Sequence, residues 1–194
     1  MARRKVYTKA GDDGTTGLFF GGRVAKDSEL PTAYGSVDEA QAVLGLVRAH
    51  AVGDLDRMLV AVMQDLWVLM AELATLPANR PKLEAGTTAV SRAMVDRLEQ
   101  HIDALDEQFE PPTEFVVPGG NVTAAWLDLA RTVVRRAERH SIGAAQPPSL
   151  AVPYLNRLSD LLWTMARWQE AADGSTLRVR DVADDTRDGQ TGGL

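Results

Sequence analysis

The chain has 194 residues, 45% of them hydrophobic, with 21 basic and 27 acidic side chains and a net charge of −6. That length fits one domain able to bury a substantial core. The acidic balance argues against a nucleic-acid or anionic-membrane surface, and the absence of cysteine excludes disulfides, zinc–thiolate sites and cysteine nucleophiles.

No apolar run approaches the roughly 20 residues that span a bilayer. The basic start Met1-Ala2-Arg3-Arg4-Lys5 leads into no apolar signal core, so the expected location is the cytoplasm. Three histidines, at His50, His101 and His140, form no close-spaced metal pattern and read as helix-end or surface residues.

The first element is a glycine-rich arm, residues 1–30. Six of the 16 glycines fall between Gly11 and Gly35. Thr8, Thr15, Thr16, Lys9 and Lys26 stand among them. Glycines that admit positive φ, with hydroxyls and ammonium groups nearby, suit a polyanion such as a nucleotide triphosphate. The segment matches neither a Walker A loop nor GxGxxG. Gly11-Asp12-Asp13-Gly14 is equally compatible with a simple tight turn in a flexible arm.

Helical periodicity then takes over. A first helix is expected from Pro31 to Ala51, striped by Val37, Ala40, Leu44 and Val47. Asp54 is a candidate cap for a second, Leu55 to Leu76, whose wide apolar face predicts a central position. Residues 77–88 read as a loop. A third helix is expected over Arg92–Gln108, capped by Ser91. The segment from Phe115 to Gly120 reads as extended and closed by a turn. Asn121 or Thr123 can cap a fourth helix reaching Ser141, and a fifth runs from Ser149 to Ala172. These five helices, residues 31–172, predict an all-α bundle. Residues 173–194 read as a mobile polar tail, with a short strand near Leu177-Arg178-Val179.

Within the fourth helix, Arg131, Arg135 and Glu138 share one face and Arg139 extends it. Four arginines in nine residues call for anions among them, either phosphates or neighbouring carboxylates. In the second case Glu138 pairs with Arg135 or Arg131. On the fifth helix Asn156 and Asp160 lie one turn apart, suited to a ribose, a phosphate-bound cation or a neighbouring arginine. Asp38 follows Tyr34-Gly35-Ser36 and either serves the helix dipole or reaches Arg131 across the bundle. Phe115 is either a core plug or an apolar wall against a flat ligand.

Taken in order, Thr8 to Gly14, Gly22-Arg23 with Lys26-Asp27, Ala33 to Glu39, Phe115 to Gly120, Arg135 to Arg139 and Tyr154 to Asp160 resemble the PduO-type ATP:cob(I)alamin adenosyltransferases. The resemblance covers about residues 6–170. It implies a five-helix-bundle subunit in a homotrimer with active sites at subunit interfaces. It implies transfer of the 5′-deoxyadenosyl group from ATP to cob(I)alamin, releasing triphosphate, with Mg²⁺ held mainly by the ATP phosphates. Hand-over of product to an adenosylcobalamin-dependent enzyme is a further expectation; nucleic acid and membrane are not expected partners.

Carried over by position, Thr8, Lys9, Ala10, Gly11, Thr16, Gly17 and Lys26 wrap the triphosphate and adenosine. Arg135, Arg136, Ala137, Glu138, Arg139 and Asn156 complete the ATP site from the helices of the same or the next subunit. Asp38 and Arg131 match an ion pair at the subunit interface and corrin site. Phe115 matches the aromatic that closes the lower corrin face. Arg135, Asn156 and Phe115 stand nearest the chemistry. Cob(I)alamin is itself the nucleophile, so no Ser–His pair or general base is required. Two rival readings remain at this level: another ATP-using enzyme on a bundle, or a non-catalytic nucleotide sensor. A ferritin-like di-iron bundle is disfavoured, because no ExxH pair falls on the helices.

Overall fold

A computed structural model describes residue 7 and residues 9–182. Five helices carry the fold: α1 (Glu29–Arg48), α2 (Gly53–Leu73), α3 (Arg92–Asp106), α4 (Val122–Ala144) and α5 (Ala151–Asp173). Helix α4 lies between α1 and α5, α3 packs on α5, and α2 packs on α1 and touches α5. The expected all-α bundle is present, and each expected helix is found within a few residues of its predicted ends.

The apolar stripes predicted for α1 and α2 are the buried ones. Val37, Ala40, Leu44 and Val47 of α1 are fully buried, as are Leu59, Leu66 and Leu69 of α2. The central helices, however, are α4 and α5. Helix α4 turns Ala124, Ala130, Ala137 and Ala144 inward, and small side chains let neighbouring backbones come close. Helix α2 reaches the core through long Leu and Met side chains instead. Its outer face leaves Trp67 63% exposed.

Helix starts follow their local chemistry. Asn121 caps α4 as expected, its Oδ1 accepting from Ala124 N–H at 2.8 Å. Asp54 does not cap α2. Gly53 takes φ +60°, Val52 becomes the cap residue, and Asp54 sits in the first turn, bonded to Arg57. The stretch expected as a loop after α2 contains a 3₁₀ turn, Pro77–Lys82, with proline at its start where no N–H is missed.

Several polar groups inside the bundle are paired across helices, although buried atoms of Gln41, Arg80, Arg167 and Glu170 complete no hydrogen bond. Asp65 of α2 accepts two 2.7 Å bonds from Arg97 of α3 and one of 3.1 Å from the Tyr154 hydroxyl of α5. Burial and the adjacent Asp65 carboxylate hold the Tyr154 phenol protonated, well above its usual pKa. Beside this cluster His101 is pushed below the ordinary imidazole range by burial and by Arg97. No helix of the described residues is long and apolar enough to cross a membrane.

Candidate functional site

The arm is more ordered than its composition suggests. Two three-residue strands, β1 (Thr15–Gly17) and β2 (Arg23–Ala25), pair antiparallel with Thr16 opposite Val24. They are too short to leave an alternating pattern in the sequence. Asp13 begins the hairpin by accepting from Thr15 N–H at 2.9 Å and from the Thr15 hydroxyl at 2.8 Å. Those donors, the backbone one first, hold the Asp13 carboxyl below its usual pKa. Gly14 takes φ +82°, and its carbonyl accepts from Lys26 N–H at 2.9 Å, closing the loop.

The loop and hairpin form an open cleft of about 290 Å³, lined by Ala10, Gly11, Thr15, Thr16, Gly17, Arg23 and Lys26. Five of these were site candidates from the sequence. Lys26 lies directly over Gly11, its Nζ 3.1 Å from where a side-chain carbon would stand, so a bulkier residue there displaces the ammonium. Lys9 holds φ +60°, an uncommon conformation for a residue with a side chain. Thr8 lies outside the described residues.

Arg23 is the arm residue that sequence reasoning missed as a site member. Its guanidinium donates to the Ala10 carbonyl at 2.6 Å and to the Thr15 hydroxyl, and lies 3.6 Å from Asp13. It fastens the turn of the arm before the hairpin to the hairpin itself. Its only trace in the sequence is the Gly22-Arg23 pair.

The hairpin is docked on the end of α2. Phe19 N–H donates to Ala74 C=O at 2.9 Å, and Asn79 Nδ2 donates to Phe20 C=O at 3.3 Å. Gly22 has φ +93°, and a side-chain carbon there would stand 2.5 Å from Leu76 Cδ1. Leu76 can swing aside, but the positive φ remains. Gly22→Ala is therefore expected to strain the hairpin by about 1–2 kcal/mol. If the arm holds nucleotide, ATP affinity falls roughly 5–30-fold; isothermal titration measures it, and unchanged affinity would detach the hairpin from binding.

The arginine face of α4 divides in two. Arg131 donates to Asp128 at 3.2 Å in its own helix, and Arg136 pairs with Glu39 of α1. Arg135 and Arg139 are exposed and find no ion pair among the described residues. Glu138 pairs with neither Arg135 nor Arg131. It accepts from Asn156 Nδ2 at 2.9 Å, which joins α4 to α5. Ala137 is fully buried and packs the helix rather than lining a cavity. Asp160 pairs with Arg157 at 2.7 Å, the neighbouring-arginine reading. Asp38 is exposed, and no ion pair joins it to Arg131 within the chain. Asp128, one turn before Arg131, takes that guanidinium instead.

Phe115 is not a core plug. It is 88% exposed. Its backbone is nonetheless held, because the chain returns after α5 to run beside it. Val117 N–H donates to Leu177 C=O at 2.8 Å, and Val179 N–H to Phe115 C=O at 3.0 Å, with Val116 opposite Arg178. The strand expected near residues 177–179 is thus a single bridge to this loop. The tail beyond Val182 lies outside the described residues.

A buried ionic cluster lies behind the loop. Asp128 Oδ2 accepts from Arg167 at 2.6 Å, and Arg167 Nη2 donates to Glu170 Oε1 at 3.2 Å. Arg167 Nε lies 3.0 Å from Glu170 Oε2 but is misaligned, so that contact is ionic and completes no hydrogen bond. Glu170 Oε1 also accepts from Gly120 N–H at 3.3 Å. Burial raises the Glu170 carboxyl above its usual range, and Arg167 opposes that shift.

Comparison with known proteins places the chain. The cobalamin adenosyltransferase family model matches residues 6–169. A corrinoid adenosyltransferase of Citrobacter freundii is 41% identical over 170 residues, covering 86% of this chain and 95% of that protein. One of Mycobacterium tuberculosis is 40% identical over 170 residues, covering 84% and 87%. The solved structure of a PduO-type ATP:corrinoid adenosyltransferase from Lactobacillus reuteri, a phenylalanine-to-histidine variant complexed with cobalamin and ATP, has a TM-score of 0.80 at 28% identity, covering 91% of this chain and 97% of that one. A continuous match of this extent in both sequence and fold assigns the chain to the cobalamin adenosyltransferase family.

Proposed function

We infer that this chain is an ATP:cob(I)alamin adenosyltransferase. It moves the 5′-deoxyadenosyl group of ATP onto the cobalt of cob(I)alamin and releases triphosphate. The observation that favours this over another ATP-using enzyme is Phe115, 88% exposed yet fixed in its backbone. A large ring left outside the core of the described residues suits a flat apolar ligand, and a corrin is one.

In the reaction a cobalt–carbon bond forms at C5′ with the cobalt electron pair. The C5′–oxygen bond breaks, and its electron pair leaves with triphosphate. The protein's task is alignment and charge stabilisation rather than nucleophilic or base catalysis. Lys26, Arg23 and the backbone of Gly11 to Gly17 hold the phosphates. Lys9 and Thr8 extend that grip. Arg135 and Arg139 meet the charge that builds on the departing phosphate, and Asn156, oriented by Glu138, positions the nucleotide. Phe115 excludes water and the lower axial ligand from cobalt.

The arm cleft is lined by arm residues alone, and the exposed Arg135 and Arg139 face away from the core. A homotrimer in which one subunit's arm meets the next subunit's α4 face unites them, with Asp38 and Arg131 at that interface. Mg²⁺ would arrive with ATP on its phosphate oxygens; among the described residues no three carboxylate or imidazole side chains gather to hold a cation. A cytoplasmic location and delivery of product to an adenosylcobalamin-using enzyme complete the reading.

An anaerobic assay with ATP, Mg²⁺ and chemically reduced cobalamin tests it. The expected result is adenosylcobalamin with stoichiometric triphosphate. Release of ADP or AMP, or ATP binding without cobalt alkylation, would overturn the reading.

A further inference from the structure

We propose that the buried pair Arg167 and Glu170 is a positioning device for the active site, holding the Phe115 loop in register with Arg131. This rests on the reading that Phe115 covers the lower corrin face.

The argument begins with burial. Arg167 is 2% exposed, Glu170 0% and Asp128 5%, in a bundle whose other interior contacts are mostly aliphatic. Removing ions from water is costly, and well-packed apolar side chains often stabilise a core as well or better. A buried ion cluster therefore needs a reason beyond stability. Its contacts supply one. Asp128 uses one oxygen for Arg167, at 2.6 Å, and the other for Arg131, at 3.2 Å. Arg167 passes the connection to Glu170, and Glu170 takes the Gly120 amide at 3.3 Å. A continuous polar path thus runs from Arg131 on α4, through α5, to the last residue of the loop that carries Phe115.

The loop is shaped for that contact. A side-chain carbon on Gly120 would stand 2.5 Å from the Ser175 carbonyl and 3.1 Å from Glu170 Cγ. Only glycine lets the backbone seat between the two. Asn121 follows at once and fastens the same point, donating to Gln169 C=O at 3.1 Å while capping α4. Among the described residues the exposed ring of Phe115 makes no aromatic contact with another ring, and its backbone carbonyl is held by Val179 N–H. Arg167 and Glu170 act through the loop and through Asp128. They are positioning residues and touch no reacting atom.

The test uses cob(II)alamin bound to the full-length protein with saturating ATP. Absorbance and electron paramagnetic resonance report the fraction of cobalt that has lost its lower ligand. Phe115→Ala is the reference and should abolish most of that fraction. Glu170→Ala is expected to lower it at least fivefold, with ATP affinity within twofold of the parent. Glu170→Gln, whose amide oxygen can still accept from Gly120, should recover most of it. Gly120→Ala pushes the loop off Ser175 and Glu170 while leaving every charged group of the cluster in the chain, and should lower the fraction as Glu170→Ala does; it serves if the latter fails to fold. A parental fraction in Glu170→Ala or Gly120→Ala, with Phe115→Ala deficient, would overturn the positioning role alone. A parental fraction in Phe115→Ala would overturn the reading of Phe115 and this inference with it.

Discussion

Arg135→Ala is expected to lower turnover at saturating ATP by about 10²–10³-fold, with little change in the concentration of ATP needed for half-maximal rate. Arg135 is exposed on α4 and finds no ion pair among the described residues, whereas Arg131 and Arg136 are each engaged by a carboxylate. Negative charge on the phosphate grows as the C5′–oxygen bond breaks, so a guanidinium placed there contributes more in the transition state than in the ground state. Removing it should lower kcat and kcat/KM together. The fold should not suffer. A surface substitution of this kind stays within about 0.5 kcal/mol, and loss of the like charge four residues from Arg139 is mildly favourable. Single-turnover spectroscopy of the corrinoid, with thermal melting alongside, gives the answer. A parental rate at saturating ATP would remove Arg135 from the chemistry.

The second large effect belongs to Phe115. Phe115→Ala should slow alkylation of cobalt on the order of 10²-fold, the scale set by losing alignment at a reacting centre, while ATP binding and melting temperature stay near parental. The ring is 88% exposed, so its removal opens no cavity in the core. On the proposed reading, its loss should admit water and the axial base to the lower face of the corrin. A ligand there donates electron density to cobalt and disfavours the electron-rich state that attacks C5′. A variant that loses stability instead would return Phe115 to a packing role, and one that loses only ATP affinity would place it at the nucleotide. Phe115→Leu, which keeps an apolar wall of smaller area, should fall between the two.

The helices were legible because their apolar residues recur at helical spacing and their ends carry readable caps, as Asn121 does for α4. Position within the bundle was less so. Hydrophobic width pointed to α2 as central, but the alanines of α4 govern how closely backbones pack. Motifs located the arm residues; the hairpin escaped because three-residue strands carry no period. Partner choice among the arginines was not readable at all. Arg131 meets Asp128 and Arg136 meets Glu39 through rotamers and cross-helix geometry that spacing alone leaves open. Phe115 beside two valines and a proline looks like core by composition, and only its return pairing with residues 177–179 shows it presented outward. The Asp128–Arg167–Glu170 cluster joins residues 39 apart in sequence, and each member alone resembles an ordinary helix-surface charge.

Arg135 and Arg139 stand one turn apart with like charge, and the arm gathers Lys26 and Arg23 around one small cleft. Without an anion Arg135 and Arg139 push against each other, and of the arm's two cations only Arg23 has a carboxylate beside it, Asp13 at 3.6 Å, so the unliganded chain carries an electrostatic burden that its own folding relieves only in part. A polyphosphate relieves it. Whatever binds the native form and not the unfolded one shifts the folding equilibrium by mass action. Heat resistance in this protein is therefore expected to rise with the concentration of its nucleotide, which thermal melting across an ATP titration measures.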